Sequence, residues 1–188
     1  MDIFITGASG YIGSALTRAL VARGHRVRGL ARGDAAAAKV RANGARPVRG
    51  SLADLAVLSG AAAGADGVVH IAATTGADRP AVDAAAVTAM LGGMAGGAFV
   101  TTTGAPRARS SRTPVTEDDT AEVAGPLAWL AGAEARVLGA EHVRGSSCDR
   151  RSSTATAAAR SPGWCGRRGR TGWRGTSARV GTAGPRCT

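Results

Sequence analysis

Lysine is almost missing from this 188-residue chain: of 24 basic residues only Lys39 is a lysine. Tyrosine is as scarce, with Tyr11 the single example, beside two phenylalanines and three tryptophans. Arginine in place of lysine, with abundant Ala and Gly, is the mark of a GC-rich genome. There is no apolar run of about 18 residues, so no membrane-spanning helix is predicted. The start passes straight from Asp2 into a short apolar run, unlike a signal peptide. The expected location is the cytoplasm. Only three cysteines occur, Cys148, Cys165 and Cys187, spaced 17 and 22 residues apart. That spacing fits no compact zinc pattern, and no metal site is predicted. An odd count in a cytoplasmic protein also argues against a disulfide framework.

The last quarter lacks still more. Residues 144–188 contain no Leu, Ile, Met, Phe or Tyr, and Val180 is their one branched aliphatic. They carry 10 Arg against one acid, a net +9, whereas residues 1–143 carry 14 basic and 12 acidic residues, a net +2. The +11 of the whole chain is therefore a property of its end. A segment so poor in apolar surface cannot offset the entropy of ordering its backbone. The expected organisation is one domain over 1–143 and a basic, disordered tail over 144–188. A basic arm can bind nucleic acid or another polyanion, with Trp164 and Trp173 for stacking. That partner is the less favoured one.

What is present is concentrated at the start. Ile3, Phe4 and Ile5 read as a strand buried on both faces. Gly7, Gly10 and Gly13 follow, three apart. Ile12, Ala15, Leu16, Ala19 and Leu20 then recur at helical spacing, Gly24 closes the helix, and residues 27–30 form a second strand. Strand, glycine turn, helix, strand is the opening of a dinucleotide-binding fold. A pyrophosphate must approach backbone N–H groups at a helix N-terminus, and side chains at positions 7 or 10 would obstruct it. At Gly13 a missing side chain lets helix and strand pack closely.

The remainder alternates in the same way. Helices are predicted over 35–43, 52–62, 83–94 and 127–138, and strands over 45–49, 68–71 and 98–104. Val87, Met90, Leu91 and Met94 form one apolar stripe, read as core. After the second strand stands Arg32, with no carboxylate until Asp34. An acid there would hydrogen-bond an adenosine ribose, whereas an arginine can pair with a 2′-phosphate, so NADP is favoured over NAD. His70, in the fourth strand, reads first as a hydrogen-bonded structural residue.

The spacing Thr6-Gly7-x-x-Gly10-x-x-Gly13 and the stretch Asp66-Gly67-Val68-Val69-His70-Ile71-Ala72-Ala73 resemble the extended short-chain dehydrogenase/reductase family. These are NAD(P)-dependent epimerases, dehydratases and sugar-nucleotide-modifying enzymes. The resemblance covers about residues 1–143. It implies an α/β fold, a doubly wound parallel sheet of Rossmann type, incomplete on its C-terminal side because the sixth strand is lost. It implies an NADP or NAD cofactor held by Thr6, Gly7, Ser9, Gly10, Tyr11, Ile12, Gly13, Arg32, Ala72 and Ala73. It also implies a small or nucleotide-linked substrate, touched by Thr102 or Thr103 at the end of strand five. After strand three the family usually places an Asp where this chain has Ser51. Family enzymes carry Tyr-x-x-x-Lys on the helix that here spans 127–138. The tyrosine transfers the proton and the lysine lowers its pKa. With Tyr11 and Lys39 elsewhere, no placement creates the pair. If Glu134 matches the family's helix glutamate, Pro126 and Leu130 take its positions. A non-catalytic NADP-binding or sensor protein is the alternative this leaves.

The tail admits another origin. Given GC-rich codons, the bases from the third position of the Gly145 codon can encode VVVRPALVYGHGG. Treated alike, residues 162–187 can encode GMVRAARTDGVARYIGEGGNRWPSVH. The first string resembles the family's sixth strand with its R-P-x-x-V-Y-G signature, and the second its following substrate-domain segment. Both lie in one frame and in family order. A frameshift near residue 144 is the expectation.

Overall fold

The computed structural model describes residues 1–103 and 128–149. Strand and helix alternate through them as β1 (Asp2–Thr6), α1 (Tyr11–Ala22), β2 (Arg26–Ala31), α2 (Asp34–Ala42), β3 (Arg46–Arg49) and α3 (Leu55–Ala63). They continue as β4 (Gly67–His70), α4 (Arg79–Gly93), β5 (Ala98–Thr103), α5 (Trp129–Leu138) and β6 (Arg144–Asp149). All strand pairs are parallel, in the order β3-β2-β1-β4-β5-β6. The chain first builds toward one edge of the sheet and then, from β4, toward the other. The reversal falls between β1 and β4.

Alternation along β1 explains the two layers. Ile3 and Ile5 face one side, where they join Ala8, Val27, Val40 and Ala45, with Leu16, Leu20 and Val21 packed against them. Phe4 faces the other, with Leu58, Val68, Met90, Phe99 and Val137. Phe4 and Phe99 are fully buried, and each contributes about 1.5–3 kcal/mol by leaving water. The stripe Val87, Met90, Leu91 and Met94 is core throughout.

Two elements begin elsewhere than the sequence predicts. α3 starts at Leu55 rather than 52, because the Asp54 carboxylate accepts from the Ser51 N–H at 2.6 Å and the Ser51 hydroxyl at 2.8 Å, tying residues 51–54 into a turn. These bonds hold the Asp54 carboxyl below its usual range. α4 starts at Arg79 rather than 83, since Pro80 in the first helical turn is preorganised for a helix start. The buried face of α1 is also rotated. Gly13 and Thr17 are its fully buried positions, and Ala15 is exposed.

The largest difference is β6. The sequence predicts that the sixth strand is lost and that order ends at 143, yet Arg144–Asp149 pairs with β5 over six residues, Ala98↔Arg144 through Thr103↔Asp149. Main-chain hydrogen bonding to the β5 edge does not depend on apolar side chains, which composition alone weighs. The small residues of RGSSCD fit the slot. A Cβ on Gly145 would lie 2.0 Å from the Val137 carbonyl oxygen, so only glycine lets α5 and β6 approach so closely. The expectations for Pro126 and for residues 105–116 and 150–188, with Trp164 and Trp173, lie outside the described residues.

Candidate functional site

The C-terminal ends of β1 and β4 lie side by side at the reversal, with Thr6 and His70 in register. In an open α/β sheet this is where a crevice forms for a ligand. The turn Gly7–Gly10 leaves β1 here and enters α1. Gly7 has φ +75°, a conformation that favours glycine, and a Cβ on it would lie 2.9 Å from the Ala72 nitrogen. The turn thus rests directly on the chain leaving β4. Gly10 N–H closes it onto the Gly7 carbonyl at 2.9 Å. A Cβ on Gly13 would lie 2.0 Å from that same carbonyl oxygen. The turn's own geometry requires glycine at positions 7 and 13, for two different reasons, whereas a Cβ on Gly10 would meet only the Gly7 carbonyl oxygen, at 3.2 Å.

α1 begins at Tyr11 with Gly10 as its N-cap and no side chain capping its first amides. Uncapped amides at the positive end of a twelve-residue helix suit an anion. Ser9 is half-buried, Gly10 exposed, Ile12 half-buried, and Tyr11 is 66% exposed above the turn. Opposite lie Ala72, half-buried, and Ala73, exposed. Thr74 follows, with a buried hydroxyl that has no hydrogen-bond partner. A glycine cradle, uncapped amides and an orphaned hydroxyl on the facing loop fit a phosphate-bearing ligand.

Arg32 follows β2 directly and is exposed. The nearest carboxylate, Asp34, opens α2 and is bound by Arg49, which holds its carboxyl below the usual range. Thr102 and Thr103 end β5, opposite Cys148 and Asp149. The nearby helix α5 offers neither tyrosine nor lysine, and Leu130 is buried in the core. Tyr11 lies on α1 and Lys39 on α2.

Thr6 and His70 have a partner that sequence reading passed over. Thr6 is fully buried, and its Oγ1 lies 2.7 Å from His70 Nδ1. His70 Nε2 lies 3.1 Å from the Asp83 Oδ1, and both residues are buried. The available signal was an acid within the apolar stretch 81–87, thirteen residues after His70. Arg79 was also missed. It begins α4, and its guanidinium stacks 5.0 Å from the Trp129 ring on α5. Among the described residues no group of three His, Cys, Asp or Glu is placed to hold a metal ion. No helix among them is long and apolar enough to cross a membrane.

Residues 3–93 match the NAD dependent epimerase/dehydratase family. An uncharacterized protein of Saccharomyces cerevisiae is 51% identical over 73 residues, covering 38% of this chain and 24% of its own length. The 4-hydroxy-2-methyl-3-oxo-4-farnesyl-3,4-dihydroquinoline-1-oxide ketoreductase of Stigmatella aurantiaca is 49% identical over 77 residues, 41% of this chain and 23% of that protein. The matched stretch thus spans about a quarter of the length of these curated relatives. Among solved structures, a short-chain dehydrogenase/reductase superfamily protein of Agrobacterium tumefaciens with bound NAD aligns at TM-score 0.60 and 25% identity. That alignment covers 79% of this chain and 48% of that one.

Proposed function

We propose, from the match of residues 3–93 to the NAD dependent epimerase/dehydratase family and the geometry of the turn, that the chain binds a nicotinamide dinucleotide across the β1–β4 crevice. The observation that carries this is the Gly7–Gly10–Gly13 turn seated against Ala72 at the strand reversal. Backbone N–H groups of Ser9, Tyr11, Ile12 and Gly13 bind the pyrophosphate, while the Gly10 N–H closes the turn onto Gly7. Thr6 holds the turn from below. Ala72 and Ala73 leave room beside the nicotinamide half. When bound, the nicotinamide gives or accepts hydride. Calorimetry on the folded chain tests the reading: micromolar binding of NADP or NAD is expected, and no binding of either overturns it.

Arg32 selects NADP. It is exposed at the end of β2, and Asp34, the acid nearest it, is engaged by Arg49. Arg32→Ala should weaken NADP by roughly 1.5–3 kcal/mol, the worth of a hydrogen bond to a charged group, and leave NAD nearly unchanged. Equal losses for both cofactors would remove the 2′-phosphate role.

The substrate class is a small or nucleotide-linked carbonyl or alcohol, acted on by oxidoreduction or epimerisation in full-length relatives. α5 favours a second reading for this chain, a protein that binds the cofactor without turning it over. The helix lacks the tyrosine and lysine of the family, and acid–base catalysis of that kind is typically worth 10²–10⁴-fold. Little or no NADPH oxidation with ketone substrates is therefore expected of the 188-residue chain. Robust turnover would overturn that second reading while leaving the first intact.

A further inference from the structure

We propose that Thr6, His70 and Asp83 form a positioning relay that sets the spacing of the glycine turn from the end of β4, and through it the affinity for the dinucleotide. The inference rests on the dinucleotide reading above. Its parts are fully specified. A carboxylate at Asp83 can only accept, so His70 Nε2 carries a proton and donates across 3.1 Å. The Ala72 N–H donates to Thr6 Oγ1 at 3.3 Å. Thr6 then gives its own proton to His70 Nδ1 across 2.7 Å. For a neutral His70 each hydrogen bond then runs one way, with the ring proton on Nε2.

The relay ties α4 to the ends of β1 and β4, two strands already paired along their main chains. Thr6 is the last residue of β1, His70 the last of β4, and Asp83 lies one turn into α4. Its top end is Ala72, the residue on which Gly7 rests. A displaced Ala72 therefore moves the floor of the turn. Stability alone does not call for this arrangement. A buried acid costs several kcal/mol in lost hydration, and an apolar group of similar volume is often as stabilising. Polar networks of this kind fix one geometry rather than add net stability. The geometry fixed here is the separation of the glycine turn from the chain leaving β4, beyond the last paired residues Thr6 and His70.

The test compares dinucleotide affinity with stability in Thr6→Val, Thr6→Ser, Asp83→Asn and the Thr6→Val/Asp83→Asn double variant. NADPH and NADH are titrated by fluorescence, and unfolding is followed by circular dichroism. Thr6→Val and Asp83→Asn should each raise Kd about three- to tenfold among folded molecules, the equivalent of one hydrogen bond. Thr6→Ser keeps the hydroxyl and should bind like wild type. Thr6 and Asp83 act through His70, so the double variant should be no worse than the weaker single one. Unchanged Kd with a lowered Tm, or additive losses, would overturn the relay while wild-type binding upholds the dinucleotide reading. Absent binding by the wild type would overturn both. Should the valine variant not fold, nitrogen-15 spectra of His70 in the wild-type protein decide: a proton on Nε2 is expected, and a proton on Nδ1 alone overturns the relay.

Discussion

Gly10→Val should stay folded and lose dinucleotide binding by on the order of 100-fold or more, whereas Gly13→Val should not fold. The two glycines belong to one turn but meet different surroundings. Gly10 is exposed, with ordinary extended backbone at φ −77° and ψ 177°. A Cβ on it meets only the Gly7 carbonyl oxygen, at 3.2 Å, which a few tenths of an ångström of movement relieves. The rest of a valine side chain would stand over the uncapped amides of α1, where the pyrophosphate must come. Gly13 is buried, and its Cβ would lie 2.0 Å from a backbone oxygen that cannot move without unseating β1 from α1. Circular dichroism and calorimetry on both variants separate the effects. Full binding by folded Gly10→Val would remove the phosphate site, and a stable Gly13→Val would contradict the packing of the turn.

The second large effect concerns β6. Its residues are RGSSCD, polar for a strand that packs partly buried along the outer edge of β5. Ser147 is 5% exposed and stands opposite Thr101, itself buried. Given GC-rich codons, one base added within the Gly145 codon keeps Gly145 and can read VVVRP from position 146 onward. Valines then fall on positions 146, 147 and 148, opposite Val100, Thr101 and Thr102. The alternative frame thus puts a buried-strand sequence into the slot that β6 holds. Burying one valine is worth about 1.5 kcal/mol or more. Ser147→Val alone should therefore raise Tm by about 6 °C, taking roughly 4 °C per kcal/mol. The chain in the alternative frame should gain more, with a single cooperative transition. Unchanged or lower Tm in both would mean that the frame match is a coincidence of codon choice.

Legibility followed the range over which each feature is encoded. β1, the glycine turn and α1 are contiguous and regular, and so were plain in the sequence. The methionine stripe of α4 follows from helical spacing alone. Arg32 could be placed because it directly follows a strand. β6 was not legible, because its order comes from a neighbouring strand and a tight fit against Val137 rather than from its own side chains. The relay was half legible. Thr6 and His70 each stood in a motif, but only the register of β1 and β4 sets them side by side, and only the packing of α4 brings Asp83 within reach.

The strand order bears on how the chain assembles. Both strands that flank the crevice, and the turn that rests between them, are encoded before residue 74, and β5 and β6 are then added in succession to one side. Phe4 of β1 packs with Met90, Phe99 and Val137, so the core under the crevice closes once α4, β5 and α5 have been made, before β6. Whatever happens to the message beyond codon 144 arrives after that core is built. A change there alters the far edge of the sheet and leaves the β1–β4 end as it stands.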